Sequence, residues 1–178
     1  MNYRMTELQA AVARVQLERL PELIARRREM AGALTVALSS VDGVLPPQER
    51  NGIDSSWWVY SFRIDEERLG MPTREFADAL IVEGLPLIHP YLPCPVFEQE
   101  ALAEAQTYGE SGYPYSEVTC PECEIEDYPG YTEFEQRQIG IFWSPHVRRG
   151  HIDEITAAVS KVAGSTAAVS GQDEEVES

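Results

Sequence analysis

The sequence predicts an α+β fold in which a long N-terminal helix precedes a small domain made of one sheet and several helices. Apolar residues recur at helical spacing through residues 1–38, which indicates one long helical segment. Downstream, runs of aromatic and β-branched residues alternate with amphipathic stretches, as in a sheet covered by helices on one face. We therefore divide the chain into a helical segment (1–38), an α+β domain (39–164) and a disordered acidic tail (165–178).

The first helix carries a recognisable start signal and one interruption. Thr6 and Gln9 fit a capping box, in which the two side chains satisfy free backbone N–H groups at the helix start. Apolar side chains then recur on one face, at Leu8, Val12 and Val15. Pro21 cannot donate a backbone hydrogen bond, so we expect the helix to be kinked or split there.

The domain that follows is predicted to begin with a turn-rich loop at 41–55. Strands are expected at 57–64, 85–88 and 137–143. Helices are expected at 72–83, 99–106 and 149–162. Glycine commonly ends helices in the left-handed conformation, so Gly84 and Gly164 are expected to close the first and the last of them.

Two adjacent tryptophans, Trp57 and Trp58, open the clearest strand pattern of the chain. Neighbouring side chains of a strand point to opposite faces of the sheet. We therefore expect one indole in the core and the other on the outside. A large apolar side chain on the outside is suited to an interface with another domain or chain.

Residues 89–135 show little regular pattern apart from the short helix at 99–106. This stretch holds eleven acidic residues between Glu98 and Glu135 and contains no lysine or arginine. Its prolines and aromatic residues argue against complete disorder, since they can bury apolar surface. A loop of this length inside a compact domain is often functional, so we regard the segment as a candidate binding region.

Composition excludes several classes of protein. The net charge is −16 and the isoelectric point about 4.5, so the chain repels nucleic-acid phosphates and anionic lipid surfaces. No apolar run approaches the roughly 20 residues that a membrane-spanning helix needs, and residues 1–20 do not resemble a signal peptide. With only three cysteines, we expect a protein of the reducing cytoplasm.

The cysteines allow a metal hypothesis that the rest of the sequence does not support. Cys120 and Cys123 have the spacing of half a zinc knuckle, and Cys94 with either His89 or His146 could complete four ligands. No second Cys-x-x-Cys pair is present, so we predict no metal site. A redox role is also not favoured, because no thioredoxin-like strand and helix surround the pair.

Several segments resemble one known family. Residues 2–11, Asn-Tyr-Arg-Met-Thr-Glu-Leu-Gln-Ala-Ala, resemble the Asn-Tyr-Arg-Met segment of the DegT/DnrJ/EryC1/StrS aminotransferases. Further similar positions are Gln16, Leu17, Leu20, the arginines 26–28, the Gly-Leu-Pro run at 84–86, Tyr91, Phe97 and the closing strand and helix at 139–162. The resemblance covers residues 2–163, and its most specific part is the N-terminal motif.

The resemblance implies the fold of type I aminotransferases, whose large domain holds pyridoxal phosphate on a lysine upstream of the Asn-Tyr-Arg segment. This chain starts at that segment, so its long helix is expected to lead from a large domain that the chain lacks. Its single lysine, Lys161, does not correspond to the lysine that holds the cofactor in the family. Transamination needs an amine to form the imine and to move the proton, and arginine stays protonated. We therefore assign no catalytic residue and expect no transamination by the chain alone.

The resemblance also implies binding roles. Asn2 corresponds to the asparagine that reaches the cofactor phosphate in the partner subunit's site, and Arg4 could add charge there. The alternative is that both are frayed terminal residues. His89 and Tyr91 lie in the segment that resembles the family's substrate-side loop, where they would contact a sugar or its nucleotide. The alternative is that His89 and Tyr91 only pack within a proline-rich loop.

Three functional interpretations follow. The first is a portion of an enzyme that moves an amino group from glutamate or glutamine to a keto sugar, commonly nucleotide-linked, as a homodimer or paired with an N-terminal large-domain chain. The second is a non-catalytic interaction or regulatory module that binds a separate aminotransferase chain. The third is a gene fragment without function. The sequence leaves these three open, together with the identities of the sugar and the amino donor.

Overall fold

The computed structural model describes residues 4–106, 109, 112–117 and 123–170, with side chains described up to residue 165. The helices are α1 (Glu7–Leu38), α2 (Glu66–Leu69), α3 (Thr73–Val82), α4 (Glu100–Ala103), α5 (Pro129–Arg137) and α6 (Arg149–Ser170). The strands are β1 (Val44–Leu45), β2 (Val59–Ile64), β3 (Leu87–Ile88) and β4 (Ile139–Phe142). Single 3-10 turns lie at Val96–Glu98, Tyr115–Glu117 and Ile125–Asp127. The predicted α+β class and the long first helix are confirmed.

The strands form one antiparallel sheet in the order β1-β2-β4-β3. Side chains alternate along β2, so that Tyr60, Phe62 and Ile64 are buried on one face. In the register of β2 and β4, Ile141 lies opposite Tyr60 and Ile139 opposite Phe62. Helices α1 and α3 both pack against α6, and the three helices supply most of the helical part of the core that covers this face. The other face of the sheet carries Val59 and Phe142, which lie opposite each other, and Phe142 is exposed.

Helix α1 starts as predicted, because the capping box of Thr6 and Gln9 is present. The helix continues through Pro21, so the expectation of a split is wrong. One missing backbone hydrogen bond does not end a helix of 32 residues that is otherwise hydrogen-bonded on both sides of the proline. Its buried residues all lie in the second half, and they are Met30, Ala31, Leu34 and Leu38. Residues 4–22 are all exposed, so the first half of α1 extends beyond the core.

A column of three aromatic rings fixes the second half of α1 to the sheet. Tyr60 stacks on Trp57 with ring centroids 5.4 Å apart and lies 5.3 Å from the ring of Trp143. The indole N–H of Trp143 donates to the backbone carbonyl of Arg27 at 3.0 Å. This column places the start of β2, and with it Trp58, at a defined position relative to α1.

Several predicted boundaries differ from the structure. β2 begins at Val59, because Trp57 adopts a left-handed backbone with φ of +51°. β1 lies inside the predicted loop 41–55. α5 begins inside the stretch predicted to be irregular and extends to Arg137, the predicted start of the last strand, which begins at Ile139. α6 does not end at Gly164 but continues to Ser170, so the predicted tail is wrong for residues 165–170. The remainder of that tail, 171–178, lies outside the described residues. Within the described part of the chain, no helix is long and apolar enough to cross a membrane.

Candidate functional site

Among the clefts that open beside the segment that follows β3, two are lined by residues that the sequence predicted to contact substrate. The first, which we call the His89 cleft, has a volume of about 560 Å³ and lies between α3, α5 and the loop after β3. The second, which we call the Trp58 cleft, has a volume of about 370 Å³ and lies on the outer face of the sheet. His89 lines the first and Tyr91 lines the second. The two residues predicted to contact substrate therefore lie in adjacent clefts, and their substrate roles stay predictions.

His89 is oriented by a hydrogen bond to the main chain. Its Nδ1 lies 2.7 Å from the backbone carbonyl oxygen of Gln138, the residue between α5 and β4. A carbonyl oxygen only accepts, so Nδ1 carries the hydrogen and Nε2 of the neutral ring is an acceptor. His89 can therefore receive a hydrogen bond from a hydroxyl group or an ammonium group in the cleft.

The loop after β3 is anchored to α5 by a buried carboxylate. Oε2 of Glu135 accepts from the backbone N–H of Leu92 at 3.1 Å. Glu135 and Tyr131 are four residues apart on α5, so both side chains face the His89 cleft. Desolvation first, and then the charges of Glu135, Cys94 and Glu98, raise the pKa of Tyr131. The sequence did not single out Glu135, because its helix was predicted to be irregular.

The His89 cleft is acidic. Its lining includes four carboxylates and one guanidinium, from Glu66, Asp78, Glu98, Glu135 and Arg74. Glu66 accepts from the backbone N–H of Thr73 at 2.6 Å, and this hydrogen bond lowers the pKa of Glu66. A cleft with this excess of negative charge repels phosphate and is suited to neutral or cationic ligands.

The residues predicted to contact the cofactor phosphate are at the start of the chain. Asn2 lies outside the described residues. Arg4 is exposed just before α1. Arg4 lines neither of the two clefts. Their roles therefore stay predictions that depend on contacts with another domain or chain.

The only lysine of the sequence is held in an ion pair. Nζ of Lys161 lies 2.8 Å from both carboxylate oxygens of Glu83, which joins α6 to the end of α3. Lys161 lines neither cleft. A covalent pyridoxal phosphate site needs a lysine amine beside groups that hold the phosphate and the ring. The residues present do not fit such a site, so no step of transamination is derived from them.

The cysteines are divided between different surroundings. Cys94 lines the His89 cleft. The hydroxyl of Tyr128 donates to Sγ of Cys123 at 3.7 Å, and Cys120 lies outside the described residues. Among the residues that the structure describes, no group of three or more histidine, cysteine and acidic side chains could hold a metal ion. The absence of a metal site stays a prediction, because Cys120 lies outside the described residues.

Solved structures of larger proteins contain a part with the same fold as this chain. DesV from S. venezuelae, solved with a ketimine intermediate, has a TM-score of 0.65 and 22% identity over 90% of this chain and 37% of its own. The sugar aminotransferase Spr1654 from Streptococcus pneumoniae in its PLP form has a TM-score of 0.64 and 17% identity, over 92% and 37%. The architecture is therefore that of one part of a pyridoxal-phosphate-dependent aminotransferase.

The sequence comparison defines the family. The profile of the DegT/DnrJ/EryC1/StrS aminotransferase family matches residues 1–140, and the chain belongs to this family. GDP-perosamine synthase from Vibrio cholerae is 31% identical over 146 residues, which are 78% of this chain and 36% of that protein. The spore coat polysaccharide biosynthesis protein SpsC from Bacillus subtilis is 24% identical over 167 residues, or 89% and 36%. The chain thus spans about a third of the length of these relatives.

Proposed function

We propose that this chain is the C-terminal portion of a pyridoxal-phosphate-dependent aminotransferase that acts on nucleotide-linked keto sugars, with glutamate or glutamine as amino donor. Family membership and the match to about a third of each relative support this assignment. One observation carries the proposal that the chain is inactive alone: its only lysine, Lys161, is paired with Glu83. Pyridoxal phosphate supplies the imine chemistry when it is bound to a lysine of another domain or chain.

The contribution of this chain is then binding. Asn2 and Arg4 offer an amide and a guanidinium, which are suitable donors to the cofactor phosphate of a second subunit. His89 and Tyr91 contact the substrate from adjacent clefts. The acidic His89 cleft supports a contact with sugar hydroxyl groups or with an amino group, since it repels phosphate. A homodimer, or a pair formed with a large-domain chain, brings these residues to the cofactor.

A chimeric enzyme tests the proposal. The matching C-terminal third of the Vibrio cholerae GDP-perosamine synthase is replaced by this chain. The chimera is expected to bind pyridoxal phosphate and to transfer the amino group of glutamate or glutamine to a nucleotide-linked keto sugar. Asn2→Ala and Arg4→Ala are expected to weaken cofactor binding, and His89→Ala is expected to slow turnover. A folded, cofactor-bound chimera that is inactive on every keto sugar tested would overturn the assignment, as would transamination by this chain alone.

A non-catalytic interaction module is the second candidate function. The observation that favours it is the exposed first half of α1, which carries apolar side chains in residues 4–22. Such a module binds an intact aminotransferase without supplying catalytic parts. The two candidates are separated by mixing the chain with the intact Vibrio cholerae enzyme. Tight binding of the chain to the intact enzyme, together with an inactive chimera, supports the interaction module. An active chimera supports the enzyme portion.

A further inference from the structure

We propose that the Trp58 cleft binds the sugar ring of the nucleotide-linked substrate, with the indole of Trp58 as its stacking surface and the amide of Gln138 as a hydrogen-bonding group. This inference rests on the proposed function and assigns the sugar part of the substrate to a defined surface. The chemical class of ligand is a neutral pyranose ring.

The indole of Trp58 is exposed but its backbone is fixed. Trp58 is 63% exposed, whereas its neighbour Trp57 stacks on the buried Tyr60. The backbone carbonyl of Trp58 accepts from the N–H of Trp143 at 3.2 Å, just beyond β4. Aromatic side chains bury large areas when covered, so an exposed indole on a rigid strand end is a ready surface for a flat ligand.

Gln138 supplies the second observation. The residue is only 2% exposed, and its side-chain Oε1 has no hydrogen-bond partner among the described residues. Its backbone is held on both sides, because its N–H donates to Phe134 and its carbonyl accepts from His89. A buried polar atom without a partner is unfavourable. A small shift of the amide toward the cleft, which Gln138 lines, would let a ligand hydroxyl donate to it.

The lining of the cleft selects the ligand. The described residues around it include the serines 55, 56 and 61 and the rings of Tyr91 and Phe134, but no acidic or basic side chain. Phosphate and ammonium groups therefore find no opposite charge in the Trp58 cleft, in contrast to the acidic His89 cleft. A pyranose combines an apolar C–H face with a rim of hydroxyl groups. This matches an aromatic surface edged by hydroxyls and an amide.

Size and position agree with this ligand. The volume of about 370 Å³ lies within the usual range for small-molecule sites, at its lower end. Tyr91 lines the Trp58 cleft and His89, two residues earlier, lines the neighbouring cleft. A sugar held on Trp58 can therefore extend a substituent toward His89. This explains how two predicted substrate residues in separate clefts serve one substrate.

Saturation-transfer NMR on the full 178-residue chain tests the proposal, with GDP-mannose as the probe and GDP as the nucleotide control. The expected result is saturation of the hexose ring protons in the wild type, with a loss of about tenfold in affinity for Trp58→Ala. Trp58→Phe, which keeps a ring, is expected to retain most of the binding. Gln138→Leu is expected to weaken binding by about fivefold through loss of the amide. Circular dichroism verifies that each variant is folded.

Phe142→Ala is the matched control, because Phe142 is an exposed aromatic residue of the sheet face on which the cleft lies and does not line the cleft. Its binding is expected to equal that of the wild type. Equal saturation in the wild type and in Trp58→Ala overturns the proposal, and so does saturation confined to the nucleotide protons. If a protein surface covers the cleft instead, the wild type shows no ring saturation, which also overturns it. An inactive chimera with intact ring saturation would instead contradict the proposed function alone.

Discussion

The hydroxyl oxygens of Tyr60 and Thr35 lie 2.9 Å apart, and this hydrogen bond joins the centre of β2 to the second half of α1. Tyr60 is fully buried between the rings of Trp57 and Trp143. Burial raises the pKa of Tyr60 to about 12, although the hydrogen bond to Thr35 acts in the opposite direction. The pair therefore stabilises the neutral phenol at the point where the long helix meets the sheet.

Tyr60→Phe is expected to lower the free energy of unfolding by about 1 kcal/mol at neutral pH, because one net hydrogen bond is lost. The folded pKa of Tyr60 is raised above its unfolded value of 10.0. Its contribution to stability is therefore fully present below pH 10 and is lost as the pH rises to about 12. Urea unfolding at neutral and alkaline pH measures both effects. Tyr91→Phe, at a surface position, is the control. If the free energy of unfolding of Tyr60→Phe falls at alkaline pH as much as that of the wild type, the prediction is contradicted.

The elements with periodic side chains were predictable from the sequence. The capping box of Thr6 and Gln9 located the start of α1, and the alternation through Ile64 located β2. The two residues of β1 are too few to show a period. α5 opens with Pro129, which is favourable at the first helical position, but Gly130 is a poor helix former and no side chain caps the helix start, so packing on α3 contributes to its conformation.

The clefts could not be predicted in the same way, because they depend on contacts between distant parts of the chain. Glu135 anchors the backbone of Leu92 across 43 residues, and His89 contacts the carbonyl of Gln138 across 49. No local pattern encodes such pairs. The sequence identified His89 and Tyr91 only through the family resemblance, and it gave no signal for Gln138.

Glu66 is expected to act as a remote cap for α3. Pro72, the N-cap residue of α3, provides no side-chain hydrogen bond, whereas Glu66 accepts from the N–H of Thr73. Glu66→Ala is expected to cost about 1 kcal/mol at neutral pH, as for the loss of a cap. The hydrogen bond to Thr73 lowers the folded pKa of Glu66 below 4.5. The contribution is therefore present above pH 4.5 and is lost as the pH falls through the folded pKa.

Thermal unfolding at neutral pH and in acid measures this contribution. Glu67→Ala, at the exposed neighbouring position of α2, is the matched control and should leave the melting temperature nearly unchanged. The difference between wild type and Glu66→Ala should shrink as the pH falls. A difference of constant size down to strong acid would show that the carboxylate does not stabilise α3.

Lys161 is expected to form no stoichiometric imine with pyridoxal phosphate, because its amine is held by both carboxylate oxygens of Glu83. The chain is incubated with the cofactor, reduced with borohydride and analysed by mass spectrometry. Lys161→Arg keeps the ion pair and removes the amine, so it reports any background labelling. A stoichiometric adduct on Lys161 of the folded protein, together with transaminase activity, would disprove the expectation that the chain is inactive alone.

The protein is expected to contain no structural zinc, because Cys120 and Cys123 form a single Cys-x-x-Cys pair with no second pair in the sequence. Metal analysis of protein purified without chelator measures the zinc content. Cys120→Ser is compared with the wild type for melting temperature and bound metal. One zinc per chain that disappears in Cys120→Ser would establish a metal site at this pair.

The first half of α1 is expected to drive self-association of the chain. Its exposed apolar residues are Leu8, Val12, Val15, Leu17 and Leu20. At 100° per residue, the first three form one stripe and the last two lie on the opposite side. A helix with apolar side chains on two sides is stabilised when both sides are buried against other protein surfaces. Burial of a few hundred Å² stabilises an interface by several kcal/mol, at about 25 cal/mol per Å².

The net charge of −16 opposes this association, but salt screens charges beyond about 10 Å at 0.1 M, while apolar burial is much less sensitive to salt. The chain is therefore expected to be a dimer or larger at moderate salt, and sedimentation at several concentrations and salt levels measures this. Leu8→Gln combined with Val12→Gln should shift the population toward monomer. Val36→Gln, at an exposed apolar position in the second half of α1, should not. A wild type that stays monomeric at every concentration would contradict the prediction. It would mean that the first half of α1 is stable while exposed to solvent.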